Sequence, residues 1–117
     1  MFYFSFFTFV LVALSIIIHG IAINYLAIAK IKSINYLTFA KFSLVLFCSH
    51  LAHIFLFAIF YAYSFRHLGP AELFAGNLQD NFVDFFYFSI TTYTTLGVGD
   101  VYPLGNMRIV AGLQSLV

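Results

Sequence analysis

TTYTTLGVGDVYP, residues 91–103, sets two glycines one residue apart between a run of threonines and an aspartate, at the end of an aromatic apolar segment. That segment, residues 85–95, is too short to cross a bilayer, and apolar pieces of about 10–14 residues read as buried or re-entrant. Backbone that is neither helix nor closed barrel cannot face lipid, because each unsatisfied polar group there costs several kcal/mol; it survives inside protein or beside a water-filled path. The strand after the short helix is therefore a candidate pore lining. Gly97 and Gly99 enter left-handed conformations without a Cβ penalty, and alternating left- and right-handed residues turn successive carbonyls toward one side. Such a row of oxygens can replace a cation's hydration shell if symmetry repeats it around an axis. Thr94 and Thr95 end the short helix, whose dipole points its negative end toward the membrane centre, and the Thr95 hydroxyl adds an oxygen. Asp100 follows at the outer mouth, placed to concentrate cations or to accept a hydrogen bond that braces the strand.

Outward from this stretch, the chain is membrane protein throughout. Of its 117 residues 63% are hydrophobic and only 8% charged, and the mean hydropathy of +1.02 lies far outside the soluble range. Residues 2–29 carry no charge and exceed the roughly 20 needed for a spanning helix. Ala27-Ile28-Ala29 resembles a cleavage site, but the run is too long and lacks the basic start of a signal peptide. Residues 42–65, between Lys41 and Arg66, form a second uncharged span. The link between them holds Lys30, Lys32 and Lys41 without an acid, which places residues 30–41 in the cytoplasm and the amino terminus outside. Residues 66–84 form an outer loop in which Pro70 opens a short helical turn. Residues 106–117 begin another apolar helix and supply half a span, so we expect the chain to continue past Val117. The expected fold is an all-α membrane protein: two transmembrane helices, a re-entrant helix with its strand, and the start of a third.

Tyr87-Phe88-Ser89-Ile90-Thr91-Thr92-Tyr93-Thr94-Thr95-Leu96-Gly97-Val98-Gly99-Asp100 resembles the pore helix and selectivity filter of the potassium channel family, T-x-T-T-V-G-Y-G-D. The register runs through Thr92, Thr94, Thr95, Gly97, Gly99 and Asp100. The resemblance covers residues 42–117 as outer helix (42–65), extracellular loop (66–84), pore helix (85–95), filter (95–100) and the start of the inner helix (106–117); residues 1–29 are an added helix. It implies a homotetramer in the plasma membrane that passes potassium passively, with no enzymatic step and no cofactor beyond the permeating ion. Carbonyls of Thr95, Leu96, Gly97, Val98 and Gly99 would coordinate the ion, Thr92 and Thr94 would support the filter, and Tyr87 would brace Asp100 through its hydroxyl. Leu96 replaces the common valine. Val98 replaces an aromatic residue that, in the family, packs outward against the pore helices, so a weakly selective monovalent cation channel is the competing reading. A fragment of a potassium transporter holding several such loops is another.

Five basic and four acidic residues leave no basic field for nucleic acid. Cys48 has no partner for a disulfide and reads as a small buried hydrophobe. His19, His50 and His53 fall within spans, where ionisable groups mark function by default. A histidine-ligated redox protein is the distant alternative. Ser5, Thr8, Ser15 and His19 line one face of the first helix, and Ser43, His50 and His53 one face of the second, so we expect the stripes to meet through interhelical hydrogen bonds. The phenylalanines of the first block face lipid, His67 sits in a solvated loop, and Arg108 snorkels at the outer interface.

Overall fold

The computed structural model describes residues 2–28, 35–69 and 73–117, with side chains of the first helix described from Phe6 onward. The first helix, α1, runs Phe2–Ile28. At 1.5 Å per residue it is about 40 Å long, more than the hydrocarbon core requires. Its buried stripe is Thr8, Leu11, Ser15 and Ala22, spaced three, four and seven residues apart, while Phe6, Phe7 and Phe9 are exposed. The small groups on the stripe let α1 approach α2 closely, which matters because lipid tails are as apolar as the side chains they would lose.

The second helix, α2, spans Tyr36–Leu68, longer at both ends than the uncharged block. Asn35 starts it: its Oδ1 accepts from the Thr38 backbone N–H and hydroxyl, both at 2.8 Å. Lys41 and Arg66 therefore lie inside the helix. Charge marks where the membrane core ends, and a helix runs on past that boundary as long as its backbone is capped and its polar heads reach water. Both α1, over Phe6–Ile28, and α2 are long and apolar enough to cross a membrane. Cys48 is exposed on α2, contrary to the expectation of burial; the packed face of the helix passes instead through Ser49, His53, Phe57 and Tyr61.

Helix α3, Phe82–Tyr93, begins before the apolar block at residue 85. The Asn81 side chain accepts from the Asp84 N–H at 2.8 Å, and Asp84 accepts from the Gln79 N–H at 2.7 Å. A carboxylate in the first turn suits the positive end of the helix dipole, so Asp84 starts this helix rather than excluding it. Being about 18 Å long, α3 runs back along the second half of α2 to mid-helix. Phe55 packs on Phe86, Tyr61 on Phe88 and Phe65 on Phe85, with ring centroids 4.6, 4.9 and 5.2 Å apart.

The chain then returns to the side it left. Strand β2, Val101–Pro103, pairs antiparallel with β1, Phe74–Gly76, in the register Phe74↔Pro103, Ala75↔Tyr102, Gly76↔Val101. These three-residue strands are an addition to the expected all-helical plan. Phe74 lies in β1 and not in a helical turn, while Pro70, Ala71 and Glu72 lie outside the described residues. Helix α4, Met107–Gln114, buries Met107, Val110, Ala111 and Gln114 on one face.

Where α2, α3 and α4 meet, the core closes around polar groups. Tyr61 Oη donates to Gln114 Oε1 at 2.7 Å. Gln114 Nε2 donates to the Ser89 hydroxyl at 2.7 Å and to its carbonyl at 3.2 Å, and Ser89 Oγ donates to the Ile54 carbonyl at 2.8 Å. All of the Gln114 amide is thus paired, and each such bond between membrane helices contributes about 1 kcal/mol.

Candidate functional site

The end of α3 is fixed by a helix stop that also starts the strand. The Thr94 N–H donates to the Ile90 carbonyl at 2.9 Å, that of Thr95 to Thr92 at 3.0 Å, and that of Leu96 to Thr91 at 2.9 Å. This is the paired terminal pattern in which the residue after the cap turns left-handed, a place glycine usually takes. Here Thr95 takes it, with φ +56°. A β-branched residue in that region stores about 1–3 kcal/mol of strain, held by the bonds on either side. The Gly97 N–H shares the Thr91 carbonyl at 3.3 Å. Sequence reasoning passed over Thr91, whose carbonyl anchors two residues of the strand.

Beyond the stop, φ is positive at Thr95, Gly97 (+54°) and Gly99 (+87°), and at no other non-glycine among the described residues. Leu96 and Val98 therefore interrupt the left-handed positions, giving strict alternation over residues 95–99. Residues 94–100 are all exposed, and Thr95, Gly97, Val98 and Gly99 border a groove of about 310 Å³ with Thr92, Val101 and Tyr102. Val98 is 57% exposed.

The strand's exit is held from three directions. Tyr87 Oη donates to Asp100 Oδ1 at 3.2 Å, the Val101 N–H donates to the same oxygen at 2.9 Å, and the Asn77 N–H donates to the Asp100 carbonyl at 2.8 Å. Gly76 makes the last contact feasible. Its φ is +101°, and a Cβ there would sit 2.1 Å from the Asp100 carbonyl oxygen. Gly76 and Asn77 fall within the outer loop expected over residues 66–84; three-residue strands leave no alternation that would have revealed more. Arg66 Nε pairs with Asp80 at 2.8 Å, both half exposed, tying the end of α2 to the loop with at most about 1 kcal/mol. Arg108 is exposed beside Tyr102 and Gly105.

The polar stripes of α1 and α2 meet in part. His19 Nε2 lies 3.1 Å from His50 Nδ1, and His19 Nδ1 lies 3.1 Å from the Ser15 carbonyl. His50 Nδ1 is also hydrogen-bonded to the Tyr93 hydroxyl, a partner on α3 that the helix-face argument did not supply. His53 is fully buried, stacked on Phe57 at 5.0 Å, and neither ring nitrogen has a hydrogen-bond partner. Ser43 is exposed, and the Ser5 side chain lies outside the described residues. Among the described residues no group of three or more His, Cys, Asp and Glu is arranged to hold a metal ion.

Two apolar helices of spanning length, a short helix that runs back along the second of them and a strand of alternating handedness at its tip define an integral membrane protein of the channel class. Residues 42–117 match the family model described as ion channel, and the chain belongs to that family. Comparison with curated proteins and with solved structures gave no match.

Proposed function

We propose that the chain is a subunit of a homotetrameric potassium channel in the plasma membrane. Carbonyls of Thr95, Leu96, Gly97, Val98 and Gly99 form one wall of a filter that passes dehydrated potassium down its electrochemical gradient, without an enzymatic step. The observation that carries this reading is the alternation of φ across residues 95–99 directly after a re-entrant helix, in the register T-x-T-T-x-G-x-G-D. Alternation turns successive carbonyls the same way, and oxygens so presented replace water around a monovalent cation when a symmetry axis supplies the other walls. Residues 94–100 are exposed in the single subunit; such backbone requires protein or water opposite, because lipid leaves it unpaired. In this arrangement residues 42–117 are the pore unit and α1 is an added helix outside it. The amino terminus lies outside and residues 30–41 in the cytoplasm.

The test is flux. The full-length protein in vesicles should carry a potassium current that barium blocks; no flux at any voltage or pH defeats the proposal.

Val98 supports a second reading, a weakly selective monovalent cation channel. Where the family carries an aromatic ring, this chain carries a valine that is 57% exposed. Reversal potentials in mixed sodium and potassium separate the two.

A further inference from the structure

We infer that Tyr93 is a positioning residue for the strand of residues 95–99, holding its base against α2 through His50; this deepens, and rests on, the channel function proposed above. The strand goes where the last turn of α3 goes. Leu96 and Gly97 both donate their N–H groups to the Thr91 carbonyl, at 2.9 and 3.3 Å, and Thr95 donates to the Thr92 carbonyl at 3.0 Å. Thr95 is the one non-glycine with positive φ among the described residues, and backbone so strained persists only where its surroundings over-determine it. The threonine hydroxyls do not supply that constraint. Those of Thr91, Thr94 and Thr95 donate to the carbonyls of Phe88, Ile90 and Thr94, which fixes the local shape of the turn and not its place in the molecule. Among the described residues, the side-chain hydrogen bond that leaves residues 91–95 for another element is that of Tyr93.

Tyr93 is the last residue of α3, and its hydroxyl meets His50 Nδ1 on α2. A phenol hydroxyl both donates and accepts, so this contact forms with either tautomer of His50 and does not depend on His19. The ring is seated as well. It lies 4.8 Å from that of His53, which is fully buried and stacked on Phe57 at 5.0 Å. One turn back, the Ser89 hydroxyl donates to the Ile54 carbonyl at 2.8 Å. Ser89 to Tyr93 is one turn forward along α3 and Ile54 to His50 one turn back along α2, so the two ties fall on successive turns of an antiparallel pair. Ser89 holds the middle of α3; Tyr93 holds its end, where a helix otherwise frays at little cost.

Tyr93→Phe keeps the ring on His53 and removes the hydroxyl. Hydrogen exchange of the full-length protein in detergent, read amide by amide, should then run about fivefold faster at Leu96 and Gly97. The Leu104 amide, which donates to the Leu73 carbonyl beside the β1–β2 pair, should keep its parental rate, as a general loss of stability would not allow. His50→Leu should reproduce the change, whereas His50→Asn, whose amide stands where Nδ1 stood, should not. Tyr63→Phe, at an exposed position on α2, is the control. In vesicles, potassium flux should fall about fivefold in Tyr93→Phe and His50→Leu and hold in His50→Asn. Unchanged exchange at Leu96 and Gly97, an equal rise at Leu104, or His50→Asn behaving like His50→Leu overturns the assignment, as does parental flux in Tyr93→Phe. No flux in the parent protein defeats the channel reading instead, and the exchange rates alone then decide whether Tyr93 holds the strand.

Discussion

Gly76 and Val98 show how much rests on single side chains. At Gly76, a methyl group meets the Asp100 carbonyl and φ is +101°, so Gly76→Ala faces both a clash and a left-handed penalty. We expect a loss of at least about 2 kcal/mol, read as a lower unfolding temperature in detergent, with Gly112→Ala, at a position open to a methyl group, as control. Val98→Tyr should raise the potassium over sodium permeability ratio, since a ring at that place would give the strand an outward packing partner; an unchanged reversal potential counts against this. The left-handed turns at Gly97 and Gly99 and the bracing of Asp100 by Tyr87 were legible because residue type and spacing call for them. Gly76 was not, since its role comes from a chain segment 24 positions away in the register of β1 and β2.

Among the elements, uncharged runs and their length located α1, α2 and the short α3, while their ends followed caps that charge patterns conceal: Asn35 and Asn81 start helices outside the uncharged blocks. The tie between α2, α3 and α4 was invisible in the sequence because Tyr61, Ser89 and Gln114 lie 25 to 53 residues apart and none stands out in an apolar helix. Gln114→Leu strands the buried Tyr61 hydroxyl and should cost about 1–3 kcal/mol. In a double-mutant cycle Tyr61→Phe with Gln114→Leu should cost less than the sum of the two, because the second change removes the stranded donor. Additive losses would show that the two side chains do not act together.

For the whole molecule, the proposed assembly closes on the exposed residues 94–100. Cross-linking of the purified protein in detergent should yield a band at four times the subunit mass; a monomer that still conducts sinks the proposed assembly. The family was readable from residues 91–100, but the docking of α1 was readable only in part. His19 and His50 were placed correctly relative to each other, while their junction with Tyr93 required knowing that α3 re-enters to mid-helix.

The buried Tyr61–Gln114–Ser89 chain has one further consequence. A spanning helix accommodates a mismatch with the hydrocarbon core by leaning, among other ways, and the lean of α2 then depends on the acyl chains around it. Because Ser89 hangs from the Ile54 carbonyl of α2 and from Gln114, any change of slope in α2 pulls directly on the helix whose tip carries Thr95. Conductance should therefore track lipid tail length, differing between vesicles of short and long phosphatidylcholines, and Gln114→Leu should blunt the difference.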